Sequence, residues 1–238
     1  MSVGLLCTLH DREGESLEAY LEVKGLLKDL YQDIYLTASD VTDKQMIDLL
    51  KEDGIKINII PAEGAGNARR EVVRFGLTGE NSHFHYCDFD RILTWASNYP
   101  RELEEMVPII EASNYLIIGR TIRAFQTHPM AWRETEKISN KIFSMELGKK
   151  VDITAGSCGF SRNAAEIITS YSKDKMTDAE WPMLVYRKAD LEVDYIAVEG
   201  LEYCHDLNRV KREMDTSQSW LGRLRLAYLI SDSAVNTR

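Results

Sequence analysis

Asp88 and Asp90, one residue apart at the end of the aromatic run HFHYCDFDR (83–91), are the chain's clearest offer of chemistry. In a β-strand, side chains at i and i+2 share a face, so the two acids would point together while Phe89 points into packing. Such a pair suits one hard divalent cation. Mg2+ or Mn2+ takes oxygen ligands, keeps some waters and completes its shell with substrate phosphates, so the implied ligand is a diphosphate. Among 38 Asp and Glu, paired acids are common on solvated surface. Phe84, Tyr86 and Phe89 mark this pair as belonging to a buried strand, with the acids at its carboxyl end, where open α/β sheets bind ligands.

The surrounding elements must build that sheet. Val3 to Leu9 (VGLLCTL) is a nearly continuous apolar run, as a strand buried on both faces requires, and it ends in His10, Asp11 and Arg12. Ser16 can cap a helix carrying Leu17, Tyr20, Leu21, Leu27 and Leu30. Asp33 to Thr37 is a second strand, Thr42 and Asp43 open a second helix that Gly54 stops, and Ile55 to Pro61 is a third strand. EGAGNARREVVRFGL then begins with two glycines and becomes helical. Beyond the acids, the pattern predicts a helix over Pro100 to Glu111 and a strand over Tyr115 to Ile118. A loop follows around Thr127, His128 and Pro129, then a helix from Trp132 to Leu147. Gly156 and Gly159 allow a tight backbone approach before a helix starting at Asn163; another helix runs from Thr177 through Lys188, and a strand from Leu191 to Val198. The alternation predicts an α/β fold, a mostly parallel doubly wound sheet with helices on both faces.

With 238 residues, 44% apolar and 28% charged, the chain can bury one large core. One domain over 1–238 is expected, with a nucleotide-binding half (1–120), an acceptor half (121–206) and a C-terminal helical tail (207–238). The net charge of -9 argues against a nucleic-acid partner held by counterion release. Cys7, Cys87, Cys158 and Cys204 form no C-x-x-C pair and read as reduced thiols. No stretch approaches the ~20 apolar residues of a transmembrane segment, and the amino terminus lacks a basic region followed by an apolar core, so a cytoplasmic protein is expected. Trp220, Leu221, Leu224, Tyr228 and Leu229 in QSWLGRLRLAYLI fall near one another on a helix. That helix packs on the domain or on a second subunit of a homo-oligomer, or lies at a membrane interface beside a lipid-linked acceptor.

Gly64, Gly66, Asn67, Arg69 and Arg70 sit where the third strand passes into a helix, so free amides and guanidiniums could meet an anion there. This is no dinucleotide fingerprint, because the third glycine is missing and the first strand is not the one preceding it. Asp11 and Arg12 could hold a base or ribose, or form an ordinary surface turn. His83 and His85 fall at the buried end of their strand and read as core residues. Asp178 and Glu180 start a helix, where the dipole favours a carboxylate whatever its task, while WPMLVYR after them could bring the acids to a pocket. His205, after a strand and beside Asp206, is either a metal-ligand candidate or a structural histidine.

Taken together, VGLLCTLHDR, GAGNARR, HYCDFDR, GSCGFSR, TDAEWP and EGLEYCH resemble, in order and spacing, GT-A fold glycosyltransferases of the family-2-like group, over about residues 1–206. The resemblance implies Asp88 and Asp90 as the acids for Mn2+ or Mg2+ and the sugar nucleotide, and His205 as a late metal ligand. It implies nucleotide contacts from His10, Asp11, Arg12, Gly66 and Arg69, and a later acid, Asp178 or Glu180, serving the acceptor. The implied reaction moves a sugar from a nucleoside-diphosphate sugar to an acceptor hydroxyl, non-processively and with inversion, retention being the open alternative. Two departures stand out: D-A-E replaces the family's adjacent E-D pair, and no Q-x-x-R-W follows Gln218. A sugar-nucleotide-forming nucleotidyltransferase and a non-catalytic GT-A-like binding module are the alternatives. The first is disfavoured by LHDREGES, whose single glycine replaces a glycine-rich loop after the first strand.

Overall fold

The computed structural model describes residues 2–204 and 216–238. The expected alternation forms its first half: β1 (Val3–Leu9), α1 (Leu17–Leu30), β2 (Asp33–Ser39), α2 (Lys44–Glu52), β3 (Lys56–Ile60), α3 (Ala65–Gly76) and β4 (His83–Cys87). Then come α4 (Phe89–Asn98), α5 (Pro100–Glu111), β5 (Tyr115–Arg120), α6 (Ile122–Gln126), α7 (Met130–Leu147), β6 (Ser157–Ser161), α8 (Arg162–Tyr171), α9 (Thr177–Lys188), β7 (Val193–Val198) and α10 (Ser217–Asn236). The strands lie in the order β3-β2-β1-β4-β6-β5-β7. All pairings are parallel except those of β6, which runs antiparallel between β4 and β5. Among the described residues no helix is long and apolar enough to cross a membrane.

The strand period of two sends alternate residues into two cores. Leu5 and Cys7 of β1 pack with Tyr20, Leu27, Ile92 and Trp95 on one face, while Leu6, Phe84 and Tyr86 pack with Val72, Phe160 and Trp181 on the other. Asp43 caps α2 as expected, accepting from the Met46 amide at 3.0 Å, and Gly54 follows that helix at φ +81°. Ser16 does not cap α1 through its side chain. Asp11 instead fixes the turn that leads into α1, its carboxylate accepting from the amides of Glu15 at 3.0 Å and Ser16 at 2.8 Å.

Two elements depart from expectation, α4 and β6, while the C-terminal helix packs on the domain, one of its expected places. Asp88 and Asp90 do not share a strand, because β4 ends at Cys87. Asp88 is the N-cap residue of α4 and Asp90 lies in its first turn, since Phe89, Ile92, Leu93 and Ala96 bury at helical spacing. The glycine-bearing stretch before α8 is a strand, β6, and α8 begins at Arg162, with Ser161 accepting from the Ala164 amide. The C-terminal helix lies against α7 and α9, burying Ala227, Ile230 and Ala234.

Candidate active site

The parallel strands all deliver their carboxyl ends to one edge of the sheet, and antiparallel β6 begins there. At that edge Asp88 leaves β4 beside Gly156, whose carbonyl accepts from the Asp88 amide at 3.2 Å. Gly156 has φ +74°, and a Cβ on it would lie 2.7 Å from Asp88 Oδ2, so this position is glycine because backbone and carboxylate touch.

Arg69 of α3 reaches the same point. Its Nη2 donates to Asp88 Oδ2 at 2.9 Å and Oδ1 at 3.2 Å, and its Nη1 donates to Asp178 Oδ2 at 2.9 Å and Thr177 Oγ1 at 3.2 Å. Burial opposes the guanidinium's charge, but the carboxylates of Asp178 and Asp88 outweigh it and hold its pKa above the ordinary value. Asp88 Oδ1 also accepts from the Tyr86 hydroxyl, in a short contact, and from Thr8 Oγ1 at 3.4 Å.

Two cavities meet on this cluster. The larger, about 580 Å3, opens over the ends of β1, β2 and β3, with His10, Asp11, Ser39, Pro61, Gly64 and Ala68 in its wall. The smaller, about 250 Å3, is walled by Arg91, Trp132, Glu136, Thr154, Asp178 and Arg223. Arg69, Asp88 and Asp90 border both. Behind the smaller cavity, Arg120 is 4% exposed and donates to Glu136 Oε2 at 2.8 Å and to both oxygens of Asp152. Burial raises the Glu136 carboxyl against the pull of Arg120; at Asp152 the Arg120 charge and hydrogen bonds overcome burial and lower it to about 2.

The expected site residues are not all brought together. Asp88, Asp90, Arg69 and Asp178 are, with His10 and Asp11 along the larger cavity; His10 Nδ1 lies 2.9 Å from Ser39 Oγ. Arg12 is exposed and outside the wall of either cavity. Gly66 does not face a ligand: a Cβ there would meet the Lys175 carbonyl oxygen at 2.4 Å, so it is glycine to let α3 approach the loop before α9. Gly64, at φ +102°, is the glycine on the larger cavity. Glu180 is 1% exposed and points away from both cavities, accepting from the amides of Lys173 at 2.6 Å and Asp174 at 2.9 Å and from Ser172 Oγ. His205 lies outside the described residues. Arg91, Glu136 and Thr154 went unnoticed in the sequence; only Arg91, directly after the acid pair, carried a local signal.

The acids fit a divalent cation of the Mg2+ or Mn2+ kind. Their donors are carboxylate oxygens, and the side chains of Asp88 and Asp90 keep 27% and 39% of their exposure at the junction of the cavities. Among the described residues no group of three or more His, Cys, Asp and Glu is arranged to hold a metal, so substrate oxygens and water would have to complete the shell.

No protein-family model matches the chain, and no curated protein matches it by sequence. Solved structures do resemble it. Glucosyl-3-phosphoglycerate synthase from Mycobacterium tuberculosis in complex with UDP is similar at 12% identity and TM-score 0.61, over 100% of this chain and 81% of that one. The same enzyme with Mn2+, UDP-glucose and phosphoglyceric acid is similar at 13% identity and TM-score 0.60, over 100% and 80%. A structure described as a mycobacterial protein is similar at 12% identity and TM-score 0.63, over 100% and 75%. Over the described residues, the backbone of this chain has the GT-A fold.

Proposed function

We propose that this protein transfers a sugar from a nucleoside-diphosphate sugar to an acceptor hydroxyl, in a reaction dependent on Mn2+ or Mg2+. The observation that carries the reading is the junction of two cavities on Asp88, Asp90 and Arg69. Similar solved structures hold UDP-glucose, Mn2+ and an acceptor acid, and the larger cavity here has room for a nucleotide.

In this reading His10, Asp11 and Ser39 contact the nucleoside, and Asp88 and Asp90 hold the cation. When bound, the cation supplies positive charge to the departing diphosphate. Arg69 adds a fixed positive charge at the same place. The acceptor occupies the smaller cavity, where Trp132 offers an apolar wall and Glu136 and Thr154 offer hydrogen-bond partners. For an inverting transfer Asp178 is the base, because it lines the acceptor cavity and Glu180 does not. Its hold on Arg69 fixes its position. The exposed Leu221, Leu224 and Tyr228 of α10 support a lipid-linked acceptor as a variant of this reading; failure to co-sediment with anionic liposomes at low salt would remove that variant alone.

The test is a panel of UDP-, GDP- and dTDP-sugars with and without Mn2+, following transfer to water or to small hydroxyl acceptors. Metal-dependent release of nucleoside diphosphate in the wild type and its loss in Asp90→Asn support the reading. Metal-independent turnover, or release unaffected by Asp90→Asn, would sink it.

A further inference from the structure

Arg69 occupies the carboxylate that a metal ion would need. Asp88 accepts from Arg69 through both oxygens, and Oδ1 also receives Tyr86 and Thr8. A carboxylate has about four acceptor positions, so little of Asp88 is left for an incoming cation. The same guanidinium neutralises Asp178, with its side chain only 10% exposed, where water screens poorly. A dication reaching Asp88 therefore meets a resident positive charge at close range. Arg69 Nε is buried with no hydrogen-bond partner in this arrangement. Its donor capacity is incomplete without a further acceptor.

A diphosphate changes that balance. Its oxygens can accept from Arg69 and also enter the cation's shell, turning two competing cations into two charges on one ligand. Resting on the metal-dependent transfer reading above, we propose that Arg69 is a positioning residue that makes cation and diphosphate binding interdependent. It holds Asp88 and Asp178 in register when no cation is bound, and it keeps a bare cation out until the diphosphate arrives. Coupling of this kind is reciprocal, so the cation must favour the diphosphate by the same factor.

The test is Mn2+ binding followed by electron paramagnetic resonance of the free ion, alone and with saturating UDP, corrected for Mn2+ that UDP holds in free solution. In the wild type, Mn2+ binds at least ~10-fold more tightly with UDP than without. Arg69→Met and Arg69→Gln bind bare Mn2+ at least ~10-fold more tightly than the wild type, and the gap between the two conditions narrows. Lysine retains one charge but not the two-armed reach, so Arg69→Lys restores exclusion of the bare ion. A merely structural arginine would give the opposite sign, because disordering the acids weakens the site. Circular dichroism verifies folding, and the wild-type gap stands as a test should the variants not fold. Equal Mn2+ affinity with and without UDP in the wild type, or bare-ion affinity unchanged or reduced in folded Arg69→Met, overturns the inference and leaves the transfer reading intact. Absence of Mn2+ binding in every condition removes the metal reading and this inference with it.

Discussion

Asp88 and Asp90 look equivalent as letters, yet the fold gives them different surroundings. Asp90 stands in the first turn of α4 at the junction of the cavities, with Arg91 Nε 4.0 Å away. Asp90→Asn is expected to lower metal-dependent UDP affinity at least tenfold with little change in stability. Asp88→Asn is expected to lose binding and stability together, because the charge that pairs with Arg69 is lost and one acceptor oxygen becomes an NH2 donor, so either Arg69 or the Tyr86 hydroxyl faces a donor; about 1–3 kcal/mol is the usual cost of stranding buried donors. Calorimetric titration and urea unfolding on both variants distinguish these outcomes. Glu180 is the converse case. Glu180→Gln should cost about 1–3 kcal/mol in urea unfolding, since three groups before α9 donate to its carboxylate, while UDP affinity stays at the wild-type value. A loss of UDP binding without loss of stability would return Glu180 to the site. The sequence showed acids at a helix start but not which way each faced: Asp178 and Glu180 are two residues apart, which on a helix separates them by about 200°.

At the scale of elements, long strands and helices were legible because their periodicity is long. VGLLCTL, Pro100–Glu111 and Thr177–Lys188 form where the pattern put them. What escaped was short or ambiguous. β6 has only five residues, two of them serine and one glycine, and its antiparallel place between β4 and β5 depends on partners distant in sequence. The start of α4 was hidden because an aromatic strand runs straight into an amphipathic helix with only Asp88 between them. Gly66 illustrates how an element's position, rather than a ligand, sets a residue's identity. Gly66→Ala should destabilise the fold by about 1–3 kcal/mol, because a Cβ at 2.4 Å from the Lys175 oxygen forces α3 away from the loop that leads into α9 and Asp178. Since α3 also carries Arg69, the same substitution should weaken UDP binding. Thermal unfolding and titration of this one variant test both; full retention of stability would mean the loop yields freely.

For the whole molecule, the buried histidines contribute a dependence of stability on pH that begins just below neutrality. His85, in the middle of β4, is fully buried against Tyr31 and Trp95, with Nδ1 2.6 Å from Tyr31 Oη and Nε2 3.0 Å from Ser157 Oγ. Burial lowers its pKa to about 3. His128 is lowered to about 2 by burial and then by the charges of Arg120 and Arg91, consistent with a neutral ring that donates from Nδ1 to the Ala124 carbonyl and accepts from Arg91. An unfolded chain protonates the same imidazoles near the ordinary value of about 6.5. Above that pH both states are neutral and the contribution is flat. Below it the unfolded state binds protons that the native state refuses, so stability falls with pH through the window down to about 3, by up to ~1.4 kcal/mol per pH unit for each histidine. Urea unfolding at about pH 7, 6 and 5 should show this slope. His85→Gln offers Tyr31 and Ser157 an uncharged amide in place of the ring, so it is expected to be less stable than the wild type at neutral pH and to lose stability less steeply on acidification. The reduction would be up to ~1.4 kcal/mol per pH unit, the remainder coming from His128 and from His83, which burial also lowers. A pH slope in His85→Gln identical to that of the wild type would mean that the native protein admits a proton at His85.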